Sequence, residues 1–384
     1  MRRRHRLVLA GVLVVSVAAG VWLLTSIGTV SEGPLTGLLG RLGSSFGTLE
    51  QRVRGRLRGS TRSDSLRWFA EARRDTAALR RPDRILLGAY DGGIPRTLEG
   101  VITLERALGT VFPLIQIYTA WGDKPEHQFP LELVTAITDL GSVPVITWEP
   151  WLSVFESARH PHLPLPATRE RHGLAAVARG DYDFYLETWA AAAARFARPL
   201  LLRFGHEMND PYRYPWGPQN NTKEEYIVAW RHVVDVFRRA GAGNVLWVWS
   251  PHVAYEYWDL YYPGNDVVDW VATGVLNFGP IAQWSRWWSF DEIFGAKYDR
   301  MAAFGKPIMI AELGTLSVGG DREAWYREAL ADLPLRHPAV AAVLFFHVAG
   351  DQTVTYQKVD WSLVGDSVVA GTVAAAIRSW GAPR

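Results

Sequence analysis

From residue 84 onward the chain alternates short apolar runs with longer stretches in which apolar residues recur every three or four positions. The runs at 85–90, 112–118, 143–148, 200–204, 245–249, 270–276, 307–310 and 341–346 are nearly continuous blocks, the pattern of strands buried on both faces. The stretches at 98–108, 131–140, 184–197, 223–240, 290–304, 322–330 and 368–380 carry the helical period. Eight strands, most followed by a helix and without a repeat of fixed length, predict an α/β fold, a (β/α)8 TIM barrel over residues 84–384. The competing doubly wound sheet calls for a Gly-rich phosphate loop after its first strand, and none follows residue 90.

The pattern ahead of the barrel is different. Arg2, Arg3, Arg4 and Arg6 precede an uncharged stretch whose first part, LVLAGVLVVSVAAGVWLL, is long enough to span a bilayer. Residues 1–31 are therefore expected to be a transmembrane signal-anchor, with the arginines in the cytoplasm and the rest exported. A cleaved signal peptide ending near Val17-Ala18-Ala19 is the rival expectation, and it makes the protein secreted. Residues 32–83 mix Gly, Ser, Arg and Leu without a period and predict a linker.

In a barrel of this kind the residues just after each strand converge on one face. Those positions hold Tyr90 and Asp91, Tyr118 and Trp121, Trp148-Glu149-Pro150-Trp151, His206-Glu207-Met208-Asn209, Ser250-Pro251-His252, Asn277-Phe278-Gly279, Glu312 and His347. Two of them, Glu207 and Glu312, end the fourth and seventh strands and face one another over the barrel axis. Paired carboxyl groups about 5–5.5 Å apart are what a retaining glycosidase uses, one as nucleophile and one as acid and then base.

Composition sharpens this reading. Eighteen Trp and 14 Tyr are abundant for 384 residues, and flat aromatic rings are what sugar faces stack on. The absence of cysteine removes disulfides, thiolate nucleophiles and Cys-ligated metals. The net charge of +2 conceals 16 Arg and no Lys against 6 acids in residues 1–84, so the remainder is acidic. Nucleic-acid binding by the barrel is thereby disfavoured.

The motifs RFGHEMN with a following PWG, WEPW on the third strand, WVWSPH on the fifth and IMIAELG on the seventh resemble glycoside hydrolase family 26. That family comprises endo-acting β-mannanases and β-1,3-1,4-glucanases. The resemblance implies a (β/α)8 barrel of the large retaining clan, no metal or other cofactor, Glu207 as acid/base, Glu312 as nucleophile, and His206 in the family's place before the acid/base. Two features depart from the mannanases of the family. The loop after HEMN reads DPYRYPWG, with Tyr212 and Trp216 as approximate counterparts of a Trp-rich loop, and Phe278 stands where a strand-six Tyr contacts the nucleophile.

The expected function is endo-cleavage of a β-linked polysaccharide, β-mannan or mixed-linkage β-glucan, by double displacement. Expected substrate contacts are His206, Asn209, Glu149, Tyr212, Asn277 and Phe278, with Trp148, Trp151 and Trp216 as stacking platforms. A metal-dependent barrel hydrolase using His206, Glu207, His252 and His347 is one alternative, although HxH and HExxH spacings are absent. A membrane-tethered glycan-binding protein without turnover is another. The retained glutamate pair speaks against it.

Overall fold

The computed structural model describes residues 62–380, apart from 283, 354 and 356. Its centre is a closed barrel of eight parallel strands in sequential order. They are β1 (Leu86–Asp91), β2 (Leu114–Ala120), β3 (Val143–Glu149), β4 (Leu200–Phe204), β5 (Val245–Trp249), β6 (Trp270–Asn277), β7 (Ile308–Thr315) and β8 (Val340–His347). Closure is made by β1 against β8, running from Leu86↔Ala342 to Asp91↔His347. The outer ring is built from α1 (Glu99–Leu108), α2 (Leu131–Asp139), α3 (Asp183–Phe196), α4 (Lys223–Arg239), α5 (Ala296–Ala302), α6 (Arg322–Leu330) and α7 (Ser367–Ser379). A π-helical turn at Asp291–Gly295 leads into α5, where the sequence predicts one unbroken helix.

Side chains alternate between the two faces of each strand, and this sorts the barrel interior into layers. At the bottom lie apolar residues such as Leu86, Leu114, Val143, Leu201, Trp270, Met309 and Ala342. Above them come Gln116, Thr147 and Arg203, all buried, and at the top Tyr118, Glu149 and Glu312. Opposite-parity residues such as Trp148, Phe204 and Leu313 belong to the larger core between strands and helices.

Residues 62–80, which the sequence pattern assigns to the linker, close the bottom of this barrel. Leu66, Phe69 and Leu79 join the apolar bottom layer, and the Trp270 indole donates to Leu79 O at 3.1 Å. Arg62 is buried and pairs with Glu105 of α1 at 2.5 Å, with further bonds to Phe112 O and Ser142 Oγ. Without period or length to mark it, this segment takes its place from the barrel end it covers and from the Arg62 contacts. The expected membrane segment and the linker up to residue 61 lie outside the described residues. No helix among those described is long and apolar enough to cross a membrane.

Candidate active site

Glu207 is delivered by a sharp turn at the end of β4. Gly205 and Glu207 both adopt left-handed backbone, with φ of 51° and 52°; for a glutamate this costs about 1–2 kcal/mol. The turn is tied down where Gly205 N donates to Trp148 O and Glu207 N to Ser250 O, at 3.0 and 2.7 Å.

Glu312 arrives by a different route. The β6–β7 register pairs Thr273 with Ile310 but Gly274 with Glu312, so one extra residue bulges out of β7. Strict alternation from Met309, which faces inward, turns Glu312 outward. The bulge re-aims it into the barrel, as such irregularities do beside functional sites. There it shares the space over Gly274 with Glu207. A Cβ on Gly274 would stand 3.6 Å from Glu207 Oε1 and 3.8 Å from Glu312 Oε2. The two oxygens are therefore no farther apart than those distances together, which accommodates the ~5–5.5 Å of a retaining pair and reaches only the lower end of the ~6.5–9.5 Å of an inverting one.

The surroundings of the two carboxylates differ. Glu312 Oε1 accepts from the Tyr118 hydroxyl at 2.7 Å and from Arg203 Nη2 at 2.5 Å. Arg203 is itself oriented by Thr147 Oγ1 at 3.0 Å, and the Gln116 amide donates to Tyr118 Oη and Thr147 Oγ1. Burial opposes ionisation of Glu312, but the Arg203 charge and the Tyr118 and Arg203 hydrogen bonds outweigh it and hold its pKa below the ordinary glutamate value. Burial, reinforced by the Glu312 charge, keeps the Tyr118 hydroxyl protonated far into the alkaline range. Glu207 Oε2 has no hydrogen-bond partner among the described protein atoms; its nearest cation is Arg213, at 3.6 Å. A carboxylate held ionised by two donors thus stands beside one whose Oε2 has no protein donor.

Of the other residues expected from sequence, several stand at this face. Glu149 is half-buried at the inward end of β3 and accepts from the Trp151 indole at 3.1 Å. Burial raises its pKa, against that hydrogen bond and the charges of Arg203 and Arg213. Trp151 packs edge-on against Trp216. His206 Nε2 is 3.0 Å from the Tyr214 hydroxyl, and burial, with the neighbouring Arg203 and Arg213, drives its pKa well below 6.5, so the ring is neutral. Tyr212 is 78% exposed.

Five expectations are corrected. Trp148 is fully buried on the outer face of β3, against Trp121, Tyr185 and Trp189, because its parity is opposite to that of Thr147 and Glu149. It is core rather than a stacking platform. Trp216 is equally buried and spends its indole N–H on His206 O at 2.7 Å, so it supports the site from beneath. Asn209 exchanges both amide groups with the backbone of His252, at 2.8 Å each, and so clamps two strand-end loops. Asn277 is buried and committed to Thr315 Oγ1, Gly279 N and Trp288 N. Phe278 packs edge-on against Trp361, among apolar neighbours that include Leu316 and Val359. The hydroxyl it lacks is supplied to Glu312 by Tyr118 of β2.

Arg203 and Arg213 escape the sequence reading as site residues, and Tyr118, though read at the strand-end face, receives no role there. Arg203 left a signal: a lone charge inside an apolar strand must find a partner in the barrel interior. The partnerships with Tyr118 and Glu312 left none, since they join distant parts of the chain. As for metals, Glu207, Asp210 and His252 have potential ligand atoms all within 4.8 Å of one another. Two other histidines of the metal alternative are engaged elsewhere, His206 with Tyr214 and His347 Nδ1 as acceptor from Leu363 N.

A family model described as glycosyl hydrolase family 26 matches residues 186–313, a span that holds both glutamates. The resemblance read from the motifs is thereby shown for that span. Endoglucanase H of Acetivibrio thermocellus is 28% identical over 271 residues, 68% of this chain and 27% of that protein. A β-1,3-xylanase of a Vibrio species is 32% identical over 125 residues, 29% of this chain and 25% of that protein. The chain thus matches about a quarter of the length of these relatives. A solved family 26 β-mannanase from Bacteroides ovatus, 18% identical, superposes with a TM-score of 0.55 over 81% of this chain and 93% of its own, which establishes the shared fold.

Proposed function

We propose that this chain, which carries a glycosyl hydrolase family 26 segment at residues 186–313, is a retaining endo-acting hydrolase of a β-linked polysaccharide, β-mannan or mixed-linkage β-glucan. The observation that carries the reading is that carboxylate oxygens of Glu207 and Glu312 both lie within 4 Å of the position a Cβ would take on Gly274. In the first step Glu312, ionised by Arg203 and Tyr118, attacks the anomeric carbon, while Glu207 gives its proton to the leaving oxygen. In the second step Glu207 takes a proton from water, which cleaves the glycosyl-enzyme ester. His206, Glu149, Trp151 and Tyr212 line the substrate side. Neutral His206 serves as a hydrogen-bonding and packing group, not as a second acid.

The polysaccharide itself is part of the proposal, because the relatives are described as an endoglucanase, a β-1,3-xylanase and a β-mannanase. We further propose that residues 1–31 tether the protein to the cell membrane with the barrel exported, on the strength of the Arg cluster and the apolar run that follows it. The same arrangement after signal-peptide cleavage gives a secreted enzyme; sedimentation of the full-length chain with membranes after carbonate washing distinguishes the two.

The test is hydrolysis of a panel of mannan, mixed-linkage glucan, cellulose and xylan by the wild type and by Glu207→Gln and Glu312→Gln. Each variant is expected to lose at least about 10²–10⁴-fold in kcat on the polysaccharide cleaved; full activity in either sinks the assignment. Proton NMR of the first-formed product should show the substrate's own anomeric configuration. The grouping of Glu207, Asp210 and His252 favours a second reading, metal-assisted hydrolysis. Activity that survives exhaustive chelation removes it.

A further inference from the structure

Among the described residues the aromatic side chains most open to solvent are Trp68, Tyr212, Tyr257 and Trp284. Trp68 belongs to the segment under the barrel, whereas the other three stand in the loops that follow β4, β5 and β6. A single exposed ring needs no explanation, but exposed rings gathered on one arc of a rim mark a contact surface. The arc begins beside the proposed acid/base. Glu207, Asp210 and His252 have side-chain atoms within 4.8 Å of one another, and the His252 ring lies 4.7 Å from that of Tyr255. Tyr255, half-buried, meets the ring of Tyr212 at 6.0 Å and 60°.

These two rings come from different loops, and the backbone behind them is tied down. Tyr212 N donates to Asp210 Oδ1 at 2.8 Å and Tyr255 N to His252 O at 3.3 Å. The Asn209 amide holds the two loops together through the His252 backbone. A ring anchored behind, paired along one edge and open to solvent is ready to take the flat apolar face of a pyranose. The proposed chemistry fixes which sugar that is. Glu207 protonates the glycosidic oxygen, so the sugar that departs, being bonded to that oxygen, lies on the Glu207 side. The sugar attacked by Glu312 lies instead toward Tyr118 and Arg203, which hold that carboxylate. A surface that runs outward from Glu207 through His252 therefore meets the departing part of the chain.

We infer that Tyr255 and Tyr212 form a two-ring platform for the departing, reducing-end portion of the glycan, and that this platform sets where along the chain the cut falls. The inference rests on the glycosidase reading and deepens it: recognition on the departing side is by the apolar faces of sugar rings, and Tyr255 is a specificity-determining residue.

The full-length wild type, Tyr212→Ala, Tyr255→Ala and Tyr255→Phe are each given mannohexaose and a mixed-linkage glucan hexamer in heavy-oxygen water, which labels the new reducing end and so locates the cut. Each is also given the glycosyl fluoride of the matching trimer, whose leaving group is fluoride and reaches no departing-side sugar contact. On the hexamer that the wild type cleaves, Tyr255→Ala and Tyr212→Ala should each lose about tenfold in kcat/KM. The cut should also move toward the reducing end, because a weakened platform holds fewer departing sugars. Fluoride release should stay within about twofold of wild type, since the nucleophile is untouched, and Tyr255→Phe, which keeps the ring, should behave as wild type on the hexamer. An unchanged cutting pattern in both alanine variants, an equal loss on hexamer and fluoride, or a Tyr255→Phe loss as large as that of Tyr255→Ala overturns the inference. In each of those outcomes wild-type cleavage that requires both glutamates leaves the glycosidase reading standing, whereas cleavage of neither hexamer and no fluoride release removes both.

Discussion

Glu312 is only 7% exposed, and a carboxylate so placed stays ionised only where protein groups replace the water it has lost. Arg203 supplies charge and Tyr118 supplies a neutral donor, so the pKa is depressed although burial alone raises it. The ionised form of this proposed nucleophile is accordingly present from below the ordinary glutamate value upward and is lost as pH falls through the depressed value. The stability that Glu312 contributes follows the same direction: present above the unfolded pKa and lost as pH falls through the folded one. Replacing Tyr118 by Phe removes one of the stabilising hydrogen bonds. The acidic limb of the kcat/KM profile should then move to higher pH, with little change in the fold. An acidic limb that stays in place in Tyr118→Phe assigns the ionisation to Arg203 alone. At this scale the sequence was half legible. Both glutamates stand out at strand ends, whereas Tyr118 is 194 residues from its partner Glu312.

Within single strands, parity decides which residues reach the site. On β3, Thr147 and Glu149 face the barrel interior, so Trp148 between them must face the helices. This was readable from the alternation alone, and the strand-end position is what obscured it. Trp148→Ala should therefore act on stability. It removes a fully buried indole packed against Trp121 and Trp189, a loss of about 3–5 kcal/mol. Denaturant unfolding should register this, and KM of the remaining folded enzyme should be unchanged. A raised KM with undiminished stability would return Trp148 to the substrate side. On β7 the same alternation misleads, because the bulge before Glu312 shifts the parity. Nothing in IMIAELG marks that extra residue; it exists through the register in which β6 and β7 meet.

Taken as a whole, the described part of the molecule is a barrel with the carboxylates at its top and with residues 62–80 packed against its bottom. The buried Arg62–Glu105 pair anchors that closure. Removing one member leaves the other as an uncompensated buried charge, so Arg62→Ala should cost about 3–5 kcal/mol in urea unfolding. The proposed chemistry lies at the other end of the barrel, so kcat/KM per folded molecule should hold. A variant as stable as the wild type would reduce the segment to a passive cover. Sequence by itself determined the eight-strand alternation, the strand ends at which polar groups cluster, and the pair of glutamates among them, since periodicity and composition are local properties of the chain. Tertiary structure alone decided which way those groups point and what they meet. Trp148 and Trp216 were withdrawn into packing, Asn209 and Asn277 were consumed by loops, Glu312 was turned inward by a bulge, and Arg203, Tyr118 and Arg213 were gathered around the carboxylates. The reason is that inward orientation depends on how the strands register when the barrel closes. Each buried polar group must also find its partner among residues that only closure brings near.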